Sequence, residues 1–268
     1  MDKILSFEQI QGFVSEIRSL RQGFVSNFFW DQNKHPYWIA EGNFFFLRKE
    51  ACILMLHEKG NFCNLFYIAT DWTVVSKAIA SVPFETTCVM DIVCRGEGDE
   101  ERNLLLGVGF SPYQHLFRMS HAGALADDSW EMDPNAVFGT SEDVAQINIV
   151  LKENFDPLSE QLPSVDELKD YIKRKQVLVI KDGSNLCGFI IFEVTGMTWY
   201  LRYWYISPDY RNQRIGSKLL KSSLFLAKDT KRQILWVIST NENAIKRYEH
   251  YGFKRELMND YVLIKKSI

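Results

Sequence analysis

The chain has 268 residues, a net charge of −3, 46% apolar and 14% aromatic residues, enough for one large core or two ordinary ones. Such a charge balance excludes a global attraction to nucleic acid or anionic lipid, and no apolar run reaches the length that spans a bilayer. Five cysteines without a Cys-x-x-Cys pair and five scattered histidines offer no metal-ligand spacing. With an N-terminus that lacks the apolar core of a signal peptide, they predict reduced thiols in a cytoplasmic protein.

In chain order, residues 7–20 and their continuation carry helical periodicity, and Phe44-Phe-Phe-Leu47 reads as a strand. Residues 51–57 and 62–69 predict a hairpin across Glu58-Lys-Gly-Asn61. A helix over 72–81, a strand over 87–93, a short helix over 100–106 ending in Gly107-Val-Gly109-Phe110, and a strand over 114–119 follow. Residues 123–139, with Asp127-Asp-Ser and Asp133-Pro-Asn, read as a linker between a first domain over 1–122 and a second over 140–268. Thr140-Ser-Glu-Asp143 and Ser164-Val-Asp-Glu167 have the spacing of capped helix starts. Strands over 177–181 and 186–194 flank the turn Asp182-Gly183-Ser-Asn, and a third runs over 199–206.

After that strand the sequence reads Ser207-Pro-Asp-Tyr-Arg211-Asn-Gln-Arg214-Ile-Gly216-Ser-Lys218. Leu219, Leu220 and Leu224 then recur at helical spacing. Arginine and lysine around the start of a helix oppose its dipole unless an anion binds there. The N–H groups around Gln213 to Ser217 can cradle a phosphate, with Gly216 permitting close approach; the alternative is a surface loop with solvated arginines. A strand over 233–238 and a helix opening at Ser239 follow, Ser239 and Glu242 having capping-box spacing and Gly252 closing the helix. The closing strand passes through Tyr261-Val-Leu-Ile264. Each half is thus α/β, a mixed and mostly antiparallel sheet flanked by helices. The order of the first half repeats in the second, with Tyr67-Ile68 and Gly109-Phe110 as counterparts of Tyr205-Ile206 and Gly252-Phe253. The first half lacks the basic glycine loop.

Together, Arg211-Asn-Gln-Arg214-Ile-Gly216 and the later pattern Asn241, Ala244, Ile245, Tyr248, Glu249, Gly252 and Phe253 resemble the GNAT superfamily of coenzyme A-dependent N-acyltransferases over residues 140–265. The resemblance implies tandem GNAT-like halves, the first degenerate and without coenzyme. It implies a pyrophosphate loop formed by Arg211, Asn212, Gln213, Arg214, Ile215, Gly216 and Ser217. Backbone groups of Trp204, Tyr205 and Ile206 would hold the pantetheine arm, and Tyr248 would be the general acid for the leaving thiolate. Asn241 would bind pantetheine amides or cap its helix. Arg214 replaces the loop's first glycine, which either adds a guanidinium to the phosphates or marks a weakened site.

Many relatives carry a glutamate on the fourth strand, whereas Tyr200 to Trp204 contain no carboxylate. Glu193 is nearest in sequence, either a base or a solvated strand-end residue. Arg202 pairs with Glu193, binds an acidic substrate or sits on an exposed face. The implied activity is direct transfer of acetyl from acetyl-CoA, without metal, to a small-molecule, amino-acid or peptide amine. Neither nucleic acid nor membrane is an expected partner. A coenzyme A-binding sensor without catalysis is the alternative. An aminoacyl-tRNA-dependent transferase is a third reading, opposed by the acidic charge and the retained loop.

Overall fold

The computed structural model describes residues 1–126 and 130–267; Asp127, Asp128 and Ser129 of the expected linker lie outside the described residues. The chain forms two compact units, one of Met1–Leu116 with the residues from Met258 onward, the other of Phe117–Leu257. The end of the chain therefore belongs to the first unit.

In the first unit, β1 (Asp2–Lys3) precedes α1 (Phe7–Ser19), which Ser6 caps by accepting from the Gln9 N–H. Ile10, Phe13 and Ile17 form its buried stripe. The expected continuation of this helix is not formed, because Arg21 adopts φ 56° and Gly23 φ 113°. The chain instead makes β2 (Val25–Ser26) and α2 (His35–Glu41). Then come β3 (Phe44–Lys49), β4 (Cys52–Glu58), β5 (Phe62–Ala69), α3 (Trp72–Ala80), β6 (Thr87–Arg95), α4 (Asp99–Leu106) and β7 (Ser111–Ala122), of which residues 111–116 belong to this unit and 117–122 to the second. β4 and β5 are buried on both faces, between α1 and α2 on one side and α3 and α4 on the other. β5 runs parallel to β6. Beyond β6 lie residues 258–265 of the closing strand Lys254–Lys265, antiparallel in the register Tyr261↔Ile92.

The second unit repeats this plan. β8 (Val137–Phe138) and a 3-10 turn at Ser141–Asp143 lead into α5 (Val144–Asn154) and α6 (Val165–Lys173), and both expected capping boxes are present, Thr140 with Asp143 and Ser164 with Glu167. β9 (Val177–Asp182) and β10 (Asn185–Thr195) form the hairpin, with Gly183 at φ 59° in the turn. β11 (Thr198–Ile206), α7 (Ile215–Leu226), β12 (Arg232–Ile238) and α8 (Glu242–His250) complete it. β11 and β12 are parallel, as β5 and β6 are. Leu219, Leu220 and Leu224 of α7 pack with Leu178, Ile190, Trp199 and Leu235 on one face, and Ile147, Leu151 and Leu168 with Phe189, Ile191 and Tyr203 on the other. The helix ends also match: the Phe110 N–H donates to the Leu105 carbonyl and the Phe253 N–H to the Tyr248 carbonyl, each at 3.1 Å. Leu105 therefore stands where Tyr248 stands. Among the described residues, no helix is long and apolar enough to cross a membrane.

The first unit buries two histidines. His57 of β4 stacks on Trp38 of α2 at 3.8 Å, with neither ring nitrogen hydrogen-bonded, and the His35 Nδ1 accepts from the Asp31 N–H at 2.8 Å. Burial holds His35 at about 3 and His57 at about 2, and the neighbouring Lys34 and Lys59 act in the same direction. A depressed histidine makes the unfolded chain bind the extra proton, so stability is present above about 6.5 and is lost as pH falls below it. His57 alone should remove on the order of 2 kcal/mol between pH 6.5 and 5. Asp260, raised by burial and by Asp91, acts in the opposite sense. Urea unfolding of His57→Phe, which preserves the stack, isolates the histidine: its stability should vary less between pH 6.5 and 5 than that of the parent. An identical pH slope in the two proteins would rule the effect out.

Candidate active site

β11 breaks its own alternation. Ile191 of β10 opposes Tyr203 and Phe192 opposes Leu201, so Arg202 is an inserted residue. Trp199, Leu201, Trp204 and Ile206 therefore pack toward α7, while Tyr203 and Tyr205 pack toward α5 and α6. Pairing with β12 runs from Thr198↔Arg232 only to Leu201↔Leu235. The two strands part at the bulge, leaving one edge of β11 from Arg202 onward without a strand partner among the described residues.

The loop after β11 winds through a 3-10 turn at Pro208–Tyr210, then takes left-handed backbone at Asn212 (φ 64°) and Arg214 (φ 61°). Asparagine tolerates this region, but arginine does so at a cost of about 1–2 kcal/mol. Arg214 thus keeps the backbone path that a glycine would take freely. It is the N-cap of α7 and makes no side-chain capping bond, so the first N–H groups of the helix remain available to a ligand. Arg214→Gly should stabilise the protein by about 0.5–1 kcal/mol, the relief being partly offset by backbone entropy. Urea unfolding checks this, and a loss of stability would show that the guanidinium braces the fold.

Gly216 also has a packing task. It lies within α7, and a Cβ there would stand 3.0 Å from Trp204 Cζ2 and 3.4 Å from Ile206 Cγ1. Its missing side chain lets α7 settle on β11. The glycine serves helix–strand packing.

A cleft of about 930 Å³ opens at this corner. The structure brings Trp204, Tyr205, Ile206, Arg211, Asn212, Arg214, Ile215, Gly216, Ser217, Asn241 and Tyr248 to its lining, whereas Gln213 is in the same loop but not in the wall. The reading of the sequence missed Asn154 and Phe155 at the end of α5, and Lys246, Arg247 and His250 of α8. The signal for α8 was present: Asn243 and Arg247, and Lys246 and His250, are four apart on one helix. Among the described residues, five basic side chains and no carboxylate line the cleft. Lys246 is 3.7 Å from Glu242, but Arg211 and Arg214 ion-pair with no carboxylate among the described residues. The buried Trp204 Nε1 lacks a hydrogen-bond partner.

The Asn241 Oδ1 accepts from the Ala244 N–H at 3.1 Å and caps α8, so Ser239 is not the cap. A turn closed by the Asn241 N–H on the Ile238 carbonyl shifts the helix start beyond Ser239. The Tyr248 ring lies 5.9 Å from Trp204 and 6.1 Å from Phe253. Burial raises its phenol, Arg247 lowers it and Glu160 raises it again, so the net state is a protonated donor at neutral pH. Glu193 is not a solvated strand end: its side chain is 12% exposed, receives the Tyr171 hydroxyl and lies 3.6 Å from Arg202 Nε. Arg202 also sits 4.7 Å from the Tyr200 ring.

Residues 145–253 match the model of the acetyltransferase (GNAT) family. The chain carries a GNAT N-acetyltransferase domain. No curated protein sequence matches the chain. Solved structures with the same fold include a tandem GNAT protein from the clavulanic acid biosynthesis pathway, 9% identical, covering 100% of this chain and 98% of that one at a TM-score of 0.61. A GNAT-family acetyltransferase from Colwellia psychrerythraea is 14% identical, with 99% and 98% covered and a TM-score of 0.58. A GCN5-related N-acetyltransferase from Sphaerobacter thermophilus is 12% identical, with 81% and 76% covered and a TM-score of 0.56. The tandem GNAT fold thus extends along the whole chain, while the family model falls on the part that holds the basic cleft.

Proposed function

We propose that this chain transfers an acetyl group from acetyl-CoA to the amine of a small molecule, amino acid or peptide, in the reducing environment of the cytoplasm. One observation carries the reading: a cleft walled by arginine, lysine and histidine without a carboxylate, at an uncapped helix N-terminus, reaching Tyr248. That combination suits a polyanionic coenzyme whose reactive end lies beside a proton donor. The retained strain at Arg214 is in keeping with a guanidinium placed for phosphate.

The residues fit the co-substrate, an activated acyl thioester. The N–H groups at the start of α7, with Arg211 and Arg214, would hold its diphosphate. The free edge of β11 from Arg202 onward would bond its amide arm and orient the carbonyl. Tyr248 would give its hydroxyl proton to the sulfur as the carbon–sulfur bond breaks. Lys246, Arg247 and His250 add positive charge along the wall.

The first unit serves as a degenerate GNAT-like half without coenzyme. Asp71 caps α3 by accepting from the Val74 N–H at 2.9 Å, so a carboxylate occupies the place a phosphate would need. β5 pairs with β6 only from Phe62↔Thr87 to Asn64↔Val89, and β2 lies against β5 at Val25↔Ala69 and Ser26↔Ile68. The Asn27 side chain accepts from the Tyr67 N–H at 2.8 Å and donates to the Leu65 carbonyl at 3.2 Å. The chain's own segment thereby takes the backbone groups that a pantetheine arm would use, and Leu105 offers no acid. One coenzyme per chain follows.

Incubating the protein with acetyl-CoA and a panel of primary amines, with thiol release and product mass as readouts, tests the proposal. Acetylated amine with equimolar thiol supports it. Coenzyme binding with no transfer to any amine would instead identify a sensor.

A further inference from the structure

Cys63 and Cys88 sit near the start of two parallel strands of the first unit, in direct register. β5 pairs with β6 from Phe62↔Thr87 through Cys63↔Cys88 to Asn64↔Val89. Both side chains turn to the face that packs with α3 and α4, and both are buried. Their sulfurs lie 3.1 Å apart, in hydrogen-bond contact. Neighbouring strands run about 4.8 Å apart, inside the roughly 4.4–6.8 Å between Cα atoms that a disulfide spans. The two thiols can therefore be joined with little movement of either strand.

The contact makes the pair unequal. The Cys88 thiol donates to the Cys63 sulfur and draws the Cys63 thiol below its usual range; Thr86 acts the same way, against burial and Glu58. That same bond, with burial, holds Cys88 well above its usual range. At the other cysteines burial comes first and raises the thiol: Cys52 is pushed up to about 12, and Cys94 and Cys187 also rise. A thiolate, not a thiol, attacks an oxidant, so the reactivity gathers on Cys63. Access comes from the strand ends. The pair lies one step in from Phe62↔Thr87, beyond which Asn61 and Glu85 are exposed. Opening a terminal rung needs far less free energy than global unfolding.

We propose that Cys63 and Cys88 form a dithiol that hydroperoxides oxidise to an intramolecular disulfide, with Cys63 the attacking sulfur and Cys88 the resolving one. The chemistry is independent of the acetyl transfer. The Cys63 sulfur attacks the peroxide oxygen and the oxygen–oxygen bond breaks. The leaving oxygen takes the Cys63 proton and becomes an alcohol, or water when the oxidant is hydrogen peroxide. Cys63 is then a sulfenic acid. The Cys88 sulfur attacks it, the sulfur–sulfur bond forms as the sulfur–oxygen bond breaks, and the departing hydroxyl leaves as water with the Cys88 proton. The thiols lose an electron pair and the peroxide gains it. The cross-link fixes the rung just before the strands part and closes a loop that contains α3.

Treating the reduced, folded full chain with hydrogen peroxide tests this. Two of its five thiols should disappear, and the intact mass should fall by two hydrogens. Digestion without reductant should release the Cys63 and Cys88 peptides as one linked pair, and dithiothreitol should restore both thiols. In Cys88→Ser the hydroxyl can still donate to the Cys63 sulfur, so the sulfenic acid should accumulate on Cys63 and be trapped by dimedone. Cys63→Ser should give at least ~10-fold less adduct on Cys88. Survival of all five thiols in the parent overturns the proposal. A disulfide that joins other cysteines or two chains overturns it too, as does gain of oxygen without a cross-link. Equal dimedone labelling of Cys63 and Cys88 in the two variants overturns the assignment of the attacking sulfur.

Discussion

Gly216→Asp should weaken coenzyme A binding by more than about 100-fold, and Gly216→Ala should weaken it much less. Both substitutions bring a Cβ to 3.0 Å from the Trp204 ring, and overpacking of this kind costs about 1–3 kcal/mol of fold stability. Only the aspartate adds a negative charge to the first turn of α7, beside the N–H groups proposed for the diphosphate. At an ordinary helix N-terminus that carboxylate would be favourable by about 0.3–1 kcal/mol. Here it would compete with the ligand for the same donors and cancel the attraction of Arg211 and Arg214. Calorimetric titration of both variants, beside their Tm values, separates the two effects. Equal affinity in the aspartate and alanine proteins would remove the diphosphate from this corner.

Tyr248→Phe should lower kcat about 100-fold while leaving coenzyme affinity and Tm nearly unchanged. The ring contacts with Trp204 and Phe253 survive the substitution. The Tyr248 hydroxyl makes no hydrogen bond to the protein among the described residues, so its removal orphans nothing. Because burial and Glu160 hold the phenol protonated, the donor form persists through neutral pH and fails only on the alkaline side. The variant should therefore lose rate uniformly from pH 6 to 9. Steady-state kinetics across that range tests this, and an unchanged kcat would exclude Tyr248 as the acid.

The elements legible in the sequence are those with period and punctuation. The hairpin at Gly183, the two capping boxes and the α7 and α8 motifs each combine a hydrophobic repeat with a cap or glycine, and these lie in the structure close to where their spacing puts them. What stayed hidden has no period. β2 is two residues long, and the role of Asn27 depends on where β5 and β6 separate, which only tertiary pairing decides. The α5–α6 loop is irregular, and its place beside β11 comes from the Tyr203 hydroxyl bonding the Glu160 carbonyl across 43 residues of sequence. Gly216 was legible as a necessary glycine, but its packing on Trp204 was not, since nothing local predicts that ring beneath it. The Ser239 cap failed because a backbone turn from Ile238 outcompeted side-chain capping.

A crystal structure of the protein with acetyl-CoA tests the central claim most directly. The diphosphate should lie against the N–H groups of Gly216 and Ser217 with Arg211 and Arg214 around it, the pantetheine arm along the free edge of β11, and the thioester sulfur within reach of the Tyr248 hydroxyl, in one copy per chain. Coenzyme bound instead at the start of α3, or in a place remote from α7, would contradict the account.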